Sequence, residues 1–288
     1  MDAQPKKMGK LRASYLLAAE SFEFLRKDPE IMWFPVLAGL CHLVLFGTMI
    51  AIMLAIIPFS ESEAPNDFLL YGVLLVWYLG AAFVFTFFQG ALATVVRKRI
   101  EGENPTFSDG MRNAQGRIGK FFIWSLIAAT VGVVIQFISD KFGWMGKLFG
   151  FAGSVAWGLL TFFIVPVLAL EDKSVRASLG RSGSIFQQTW GETLIMNFSL
   201  GLFFMMLYIL VIVLMGVTVF FGANNVPLMI VGLTALILLM LIIAVVQSAL
   251  SAIFKVVLYE YAANGKIADS FTPELIIGAL TKKEAPAA

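Results

Sequence analysis

The feature that most constrains this chain is a stretch without ionisable side chains, which runs from Thr193 to Phe254 and contains no Asp, Glu, Lys, Arg or His. A helix that crosses about 30 Å of hydrocarbon needs about 20 residues, each rising about 1.5 Å. The stretch is therefore too long for one crossing and suits two. Residues 222–227 favour a reversal between the two crossings, because the Gly, Asn and Pro in this segment form turns and stop helices. The sequence thus predicts two transmembrane helices joined by a turn.

Four shorter uncharged runs precede this pair, and each is long enough to span a membrane once. The chain is 59% hydrophobic and 14% charged, whereas a soluble domain is about half apolar and about a quarter charged. We therefore predict an all-α polytopic membrane protein with six transmembrane helices, in one domain over residues 1–280 that is followed by a disordered tail at 281–288. The predicted crossings lie at about 31–58, 68–96, 121–139, 148–170, 193–221 and 227–254.

Basic residues are distributed unequally between the two sides of the predicted membrane. An even number of crossings puts both termini on one side, and the segments on that side carry 19 of the 21 Lys and Arg residues. The opposite loops carry only Lys141 and Lys147. Because basic residues mark the cytoplasmic side, we expect both termini in the cytoplasm.

Short helices are expected on the cytoplasmic side before each pair of crossings. Apolar residues at three- and four-residue steps over residues 11–25 predict an amphipathic helix at the membrane surface. Ser108 and Ser174 are placed to cap short helices after the second and fourth crossings. A Thr-to-Glu spacing typical of a capping box predicts a helix start just before the long uncharged stretch. This helix-start motif consists of Thr189, Trp190, Gly191 and Glu192.

The ends of the second and sixth crossings resemble each other. Residues 89–97 (QGALATVVR) align without gaps with residues 247–255 (QSALSAIFK). Each segment places a Gln about 12 Å deeper along the helix than its first basic residue and then offers small side chains. The predicted unit is one surface helix plus one hairpin of crossings, used three times in the same direction. Gln89 and Gln247 either stabilise helix packing or line a polar cavity.

Few groups in the predicted membrane segments are candidates for chemistry. The single His42 and the single Cys41 exclude multi-His metal sites and disulfides within one chain. Glu171 and Asp172 lie at a predicted membrane boundary, where two acids are more often solvated than paired for catalysis. No catalytic, phosphate-binding or dinucleotide-binding motif occurs, so we expect no enzyme activity, no cofactor and no metal. The candidate polar packing or pore positions are Gln89, Gln247, His42 and Asn197.

Three separated blocks of sequence occur in an order that is typical of one family. They are Leu25–Glu30 with Trp33–Leu37, then Thr161–Leu168 with Glu171 and Asp172, then Ser182, Phe186 and Trp190–Glu192. In these blocks the chain resembles a family of bacterial and archaeal multipass proteins that is catalogued as a domain of unknown function. The resemblance implies a six-helix integral membrane protein over nearly the whole chain, in a prokaryotic plasma membrane. It implies no substrate, cofactor or active site.

Two main classes of function agree with this pattern, and a membrane enzyme ranks behind both. The first is a non-enzymatic membrane scaffold or lipid- and protein-interaction component, whose basic surface helices attract anionic headgroups. The alternative is a small-solute or ion channel or transporter with a polar site near Gln89 and Gln247. The expected partners are the lipid bilayer and its anionic cytoplasmic headgroups. The net charge of +2 gives no support for nucleic-acid binding, and a protein partner or homo-oligomer stays open.

Overall fold

The computed structural model describes residues 22–56 and 67–266, apart from the side chains of 67, 68, 70, 71 and 189–200. Over these residues the chain is helical, and no strand occurs among them. The elements are α1 (the helical residues 22–27), a 3-10 turn at Pro29–Met32, α2 (Trp33–Ile56), α3 (Asp67–Ile100), α4 (Phe107–Gly116), α5 (Ile118–Lys141), α6 (Gly143–Leu160), α7 (Ile164–Leu170), α8 (Val175–Gly222) and α9 (Val226–Asn264).

Six segments are long and apolar enough to cross a membrane, which confirms the predicted all-helical class and the number of candidate crossings. The structure gives them as Pro29–Ile56, Gly72–Ile100, Ile118–Lys141, Gly143–Leu170, Gly201–Gly222 and Val226–Asn264. Most of the predicted amphipathic helix at 11–25 and all of the predicted tail at 281–288 lie outside the described residues.

Large apolar side chains are exposed along these six segments. Trp144 is 76% exposed, Phe220 is 76% exposed and Phe221 is 75% exposed. An apolar surface of this extent is unfavourable in water, whereas it needs no cover in the hydrocarbon of a bilayer. The exposure pattern therefore agrees with helices that face lipid.

The contacts group the chain into two compact units, one of Trp33–Gln187 and one of Met1–Met32 with Gln188–Ala288. In the unit of Trp33–Gln187, α3 packs against α2, α4, α5 and α7, and α5 packs against α6. The α5–α6 contact is close because α6 presents glycines: a Cβ at Gly146 would lie 2.5 Å from the Ile138 carbonyl oxygen. The prediction of a single membrane domain over residues 1–280 stays a prediction.

In the other unit, the turn between α8 and α9 forms where the sequence predicts it. α8 ends at Gly222 and α9 begins at Val226. Asn225 caps α9, because its side chain accepts a hydrogen bond from the Leu228 amide at 3.2 Å. Close to the turn the two helices approach each other, since a Cβ at Gly232 would lie 2.7 Å from Thr218 Cγ2. The predicted reversal is therefore confirmed.

One of the two predicted serine caps is confirmed and the other is wrong. Ser174 caps α8, because its Oγ accepts a hydrogen bond from the Ala177 amide at 3.3 Å. α4, however, begins two residues before the position predicted from Ser108. Its cap is Thr106, which forms a capping box with Asp109, so the carboxylate at the third helical position decides the start.

The predicted helix start at Thr189, Trp190, Gly191 and Glu192 is also wrong. α8 continues without a break from Val175 to Gly222 and passes through all four residues. Thr and Glu three positions apart also fit the interior of a helix, and one Gly there costs only about 1 kcal/mol relative to Ala. No turn sequence separates the predicted surface helix from the predicted fifth crossing, so the two form one helix.

The fourth candidate crossing is broken by a proline, and a serine from α8 repairs the break. Pro166 has no amide hydrogen, and residues 161–163 form a turn between α6 and α7. The Ser182 hydroxyl accepts a hydrogen bond from the Phe163 amide at 3.1 Å and donates one to the Leu160 carbonyl at 2.8 Å. Ser182 thereby satisfies two backbone groups that the break would leave unpaired in an apolar setting.

Candidate functional site

The C-terminal end of α7 is held by side chains from other elements. The last carbonyls of a helix have no partner within it, and cations are favourable near them. At α7 these partners are Arg97, Asn113 and Arg117, which we call the α7 cap. Arg97 Nη1 donates to Leu170 O at 3.1 Å, Asn113 Nδ2 donates to Ala169 O at 3.1 Å, and Arg117 Nη1 donates to Leu168 O at 3.2 Å and to Glu171 O at 2.6 Å.

Helix ends and a close contact between α3 and α4 put the three side chains of the α7 cap in place. Arg97 lies in the last turn of α3, and Arg117 joins α4 to α5. α4 lies close against α3 at Gly110, where a Cβ would be 2.7 Å from the Ala91 carbonyl oxygen. Asn113 also donates to Thr94 Oγ1 at 2.6 Å, so it connects α4 to both α3 and α7. The arrangement is therefore a junction of three helices.

Ion pairs extend this junction toward its surface. Lys120 Nζ donates to Asp172 Oδ1 at 2.9 Å, and the Asp172 side chain is 95% exposed. The hydrogen bond from Lys120 lowers the pKa of Asp172 below its ordinary value, with a smaller effect of the Arg117 charge. Glu171 is only 15% exposed and pairs with Lys173 and with Arg181 Nε, the latter at 3.2 Å. Of the two acids at this predicted membrane boundary, Asp172 is therefore exposed to solvent, as expected, while Glu171 has a structural role.

Gln247, which the sequence singles out, makes a defined hydrogen bond within its own unit. Tyr208 Oη donates to Gln247 Oε1 at 2.8 Å and so joins α8 to α9. An amide and a phenol that pair inside an apolar segment satisfy each other and stabilise helix contact. This geometry suits the packing alternative for Gln247.

His42 joins α2 to α3 through backbone carbonyls. Its Nδ1 lies 2.7 Å from Ala38 O, and its Nε2 lies 3.1 Å from Ala81 O. A neutral imidazole has one N–H, so it donates one of these two hydrogen bonds at a time. The contacts are those of a packing residue that is held between two helices.

The remaining predicted positions either belong to different compact units or have side chains outside the described residues. Gln89 lies half-buried on α3 in the unit of Trp33–Gln187, while Gln247 belongs to the other unit. Asn197 lies within α8, and its side chain is outside the described residues, as are those of the helix-start motif. In residues 22–56 and 67–266, no group of three or more His, Cys, Asp or Glu is placed to hold a metal ion.

Sequence reasoning missed the α7 cap, although each of its residues carries a weak signal. Arginines at helix ends are usually read as solvated charges that mark a membrane boundary. Pro166 is the better signal, because a broken helix has more backbone groups that need partners. Ser182 and Glu171 belong to the blocks that carry the family resemblance, and both make contacts in this junction.

The fold is that of a multi-pass membrane protein, with six helical segments long and apolar enough to cross a membrane among the described residues. A family model matches residues 68–269, and the chain belongs to that family, which is described as a family of unknown function (DUF6159). The match confirms the resemblance to an uncharacterised family, while the block at 25–37 lies outside the matched residues. No curated protein matches the chain.

Proposed function

We propose that this chain is a non-enzymatic membrane protein that organises lipids or partner proteins at the cytoplasmic face of a prokaryotic plasma membrane. The observation that carries the proposal is the α7 cap. Its two arginines and its asparagine, all half-buried, bond to backbone carbonyls, which is a structural use of polar groups at this end of the helices. The hydrogen bonds of the junction therefore hold α3, α4 and α7 together beneath the charged side chains that surround it.

That surrounding surface is basic. Arg112, Lys173 and Arg176 are exposed on α4 and at the start of α8. The interior face of α4 is covered, since Gly110 and Ala114 are buried against the unit. α4 therefore presents polar side chains outward, Arg112 among them, instead of an apolar face for insertion into lipid. Such a surface attracts anionic headgroups or an acidic protein surface.

The proposed topology has three hairpins with both termini in the cytoplasm. Its support is the position of 19 of the 21 basic residues on one side. The pairing of consecutive crossings agrees with three contacts: α2 packs on α3, α5 packs on α6, and Tyr208 on α8 bonds to Gln247 on α9. The internal repeat is part of the same proposal, because residues 89–97 on α3 and residues 247–255 on α9 both carry small and apolar side chains that are mostly buried.

The broken crossing favours a second candidate, a channel or transporter for small solutes or ions. Interrupted membrane helices often line substrate sites, since their free backbone groups bind ions and polar solutes. In this chain the Phe163 amide and the Leu160 carbonyl are both hydrogen-bonded to the Ser182 side chain of α8. These two backbone groups of the break are therefore used for contact between helices instead of for binding a solute. The alternative therefore ranks second.

Two experiments test the proposal. Topology reporters fused at residues 64 and 288 show on which side of the membrane each residue lies. A cytoplasmic signal at residue 64 would overturn the proposed orientation.

In the second experiment, purified protein in vesicles is assayed for flux of ions and small solutes and for preference between anionic and neutral lipids. We expect lipid preference without flux, and flux that is lost in Gln89→Leu or Gln247→Leu at unchanged stability would support the channel instead.

A further inference from the structure

A cluster of charged side chains surrounds the start of α5. Arg117 immediately precedes α5, and Lys120 lies in its first turn. Lys120 pairs with Asp172, and the neighbouring Lys173 pairs with Glu171. The Arg117 charge also acts on Asp172. Three cations therefore lie around two carboxylates, which leaves the cluster with an excess of positive charge.

An exposed apolar stripe of α5 begins one turn beyond Lys120. Ile123 is 51% exposed and Leu126 is 49% exposed, and the stripe continues through Val134 and Phe137. Ile123 follows Lys120 by three residues, so the two side chains are neighbours on the helix surface. From residue 123 to 137 the stripe extends about 21 Å, which is more than half of the hydrocarbon thickness of about 30 Å and therefore at least one leaflet.

We propose that this cluster and stripe bind one anionic phospholipid. The phosphate lies against Arg117, Lys120 and Lys173, which we call the α5 phosphate site, and an acyl chain lies along Ile123 and Leu126. Charge complementarity selects an anionic group, and the adjoining apolar stripe selects a lipid over a soluble phosphate or an acidic peptide. This inference rests on the proposed function, since it names the lipid class and the place where it binds.

The existing contacts of the cluster prepare it for such a ligand. Arg117 Nη1 donates to the carbonyls of Leu168 and Glu171 at the end of α7, and these two hydrogen bonds fix the guanidinium before a ligand arrives. A guanidinium has five N–H donors, and Nη1, which bonds to the two carbonyls, carries two of them. The other three donors, on Nε and Nη2, are the ones that we assign to the phosphate. The Asp172 side chain is 95% exposed and that of Lys120 is 28% exposed, and an ion pair with one partner in solvent contributes little to stability. A phosphate can therefore share or replace Asp172 at Lys120.

The test compares lipid retention by the full chain and three variants. Each is purified with equal amounts of phosphatidylglycerol and phosphatidylcholine, and the bound lipids are counted by native mass spectrometry. Lys120→Gln is expected to weaken retention of phosphatidylglycerol about fivefold, the usual effect of one basic residue near an anionic surface. Asp172→Asn removes the competing carboxylate and is expected to strengthen retention. Lys147→Gln, the same change of charge at the start of α6, is the matched control and is expected to retain lipid like the wild type.

The outcomes separate this inference from the proposed function. Equal retention by Lys120→Gln and Lys147→Gln, with wild-type preference for phosphatidylglycerol intact, overturns the α5 phosphate site and leaves the proposed function standing. A wild-type chain without any preference for the anionic lipid overturns both. If inorganic phosphate alone raises the unfolding temperature as much as phosphatidylglycerol does, the apolar stripe takes no part and the lipid assignment is overturned. Unfolding temperatures of Lys120→Gln and Lys147→Gln that match the wild type ensure that retention reports binding.

Discussion

Residues 89–97 on α3 and residues 247–255 on α9 share a sequence pattern but have different neighbours. Each segment begins with a half-buried Gln and continues with small and apolar side chains that are mostly buried. Ala91 and Ala249, which correspond in the two segments, are both 0% exposed. What repeats is therefore the burial of a segment of small and apolar side chains, which lies near the end of α3 but is followed by more helix, up to Asn264, in α9.

The contacts of the two segments are not repeated. In the first segment, Gly90 lies against the Phe121 ring, and Thr94 accepts a hydrogen bond from Asn113. In the second segment, Ser248 stands at the position of Gly90 and Ala252 at that of Thr94, while Gln247 pairs with Tyr208 on the preceding helix. A shared pattern thus predicts how deeply a segment is buried, whereas its partners depend on the elements that surround it.

The largest expected effect comes from exchanging the second residue of the two segments. A Cβ at Gly90 would overlap the Phe121 ring, whose Cε1 and Cε2 would lie 3.0 and 3.1 Å away, and Phe121 is fully buried. Gly90→Ser is expected to destabilise the protein by about 3 kcal/mol through overpacking. Ser248→Gly, the reverse change, is expected to cost only about 0.5–1 kcal/mol. Unfolding in detergent measures both, and equal losses would show that the two segments have equivalent surroundings.

The next effect tests the α7 cap, which belongs to the first segment's surroundings. Arg117→Met removes the donor to the carbonyls of Leu168 and Glu171 and is expected to cost about 2 kcal/mol. Arg176→Met, at an exposed arginine in the first turn of α8, is the matched control and is expected to stay within about 0.5 kcal/mol of the wild type. A similar loss in both variants would assign the effect to general charge instead of the cap.

Local signals in the sequence are sufficient for the number of crossings, the turn and the cap of α8. Uncharged length predicts each crossing, and the Asn and Pro of residues 222–227 predict the turn. Ser174 is recognised because a cap bonds to an amide only three residues away. In each case the residues that decide the structure lie within one or two helical turns of each other.

The α7 cap and the continuity of α8 could not be predicted in the same way. Arg97 contacts a carbonyl 73 residues later, and Arg117 contacts one 54 residues later, so no local spacing reveals them. The Thr189-to-Glu192 spacing suggests a helix start, yet α8 continues through it because helix on both sides is favourable. Such a spacing is compatible with a helix start and with a helix interior, and the surrounding structure decides which of the two forms.

A smaller effect tests the partner of Gln247. A double-mutant cycle of Gln247→Leu and Tyr208→Phe is expected to give a coupling of about 0.6 kcal/mol, the average for hydrogen bonds between membrane helices. Thr218→Val on the same helix as Tyr208 is the control, because the Thr218 hydroxyl donates to its own helix at Leu214. Coupling of Gln247 to Thr218 as strong as to Tyr208 would contradict a specific pair.

The smallest effect is a pH dependence at α4, the helix that supports the first segment through Asn113. The Asp109 carboxylate accepts a hydrogen bond from the Thr106 amide at 2.9 Å, and this bond lowers the pKa of Asp109 below its ordinary value of about 3.9. A carboxylate whose pKa is lower in the folded state stabilises the protein above its unfolded pKa, and this contribution is lost as the pH falls through the folded pKa. The unfolding temperature of the wild type should therefore fall further between pH 7 and pH 3 than that of Asp109→Asn, which still accepts a hydrogen bond but has no proton to gain. If both lose the same amount, protonation of the capping box does not weaken α4, and the acid sensitivity of the protein must come from other carboxylates, of which Asp172 is the next to test because its pKa is also lowered.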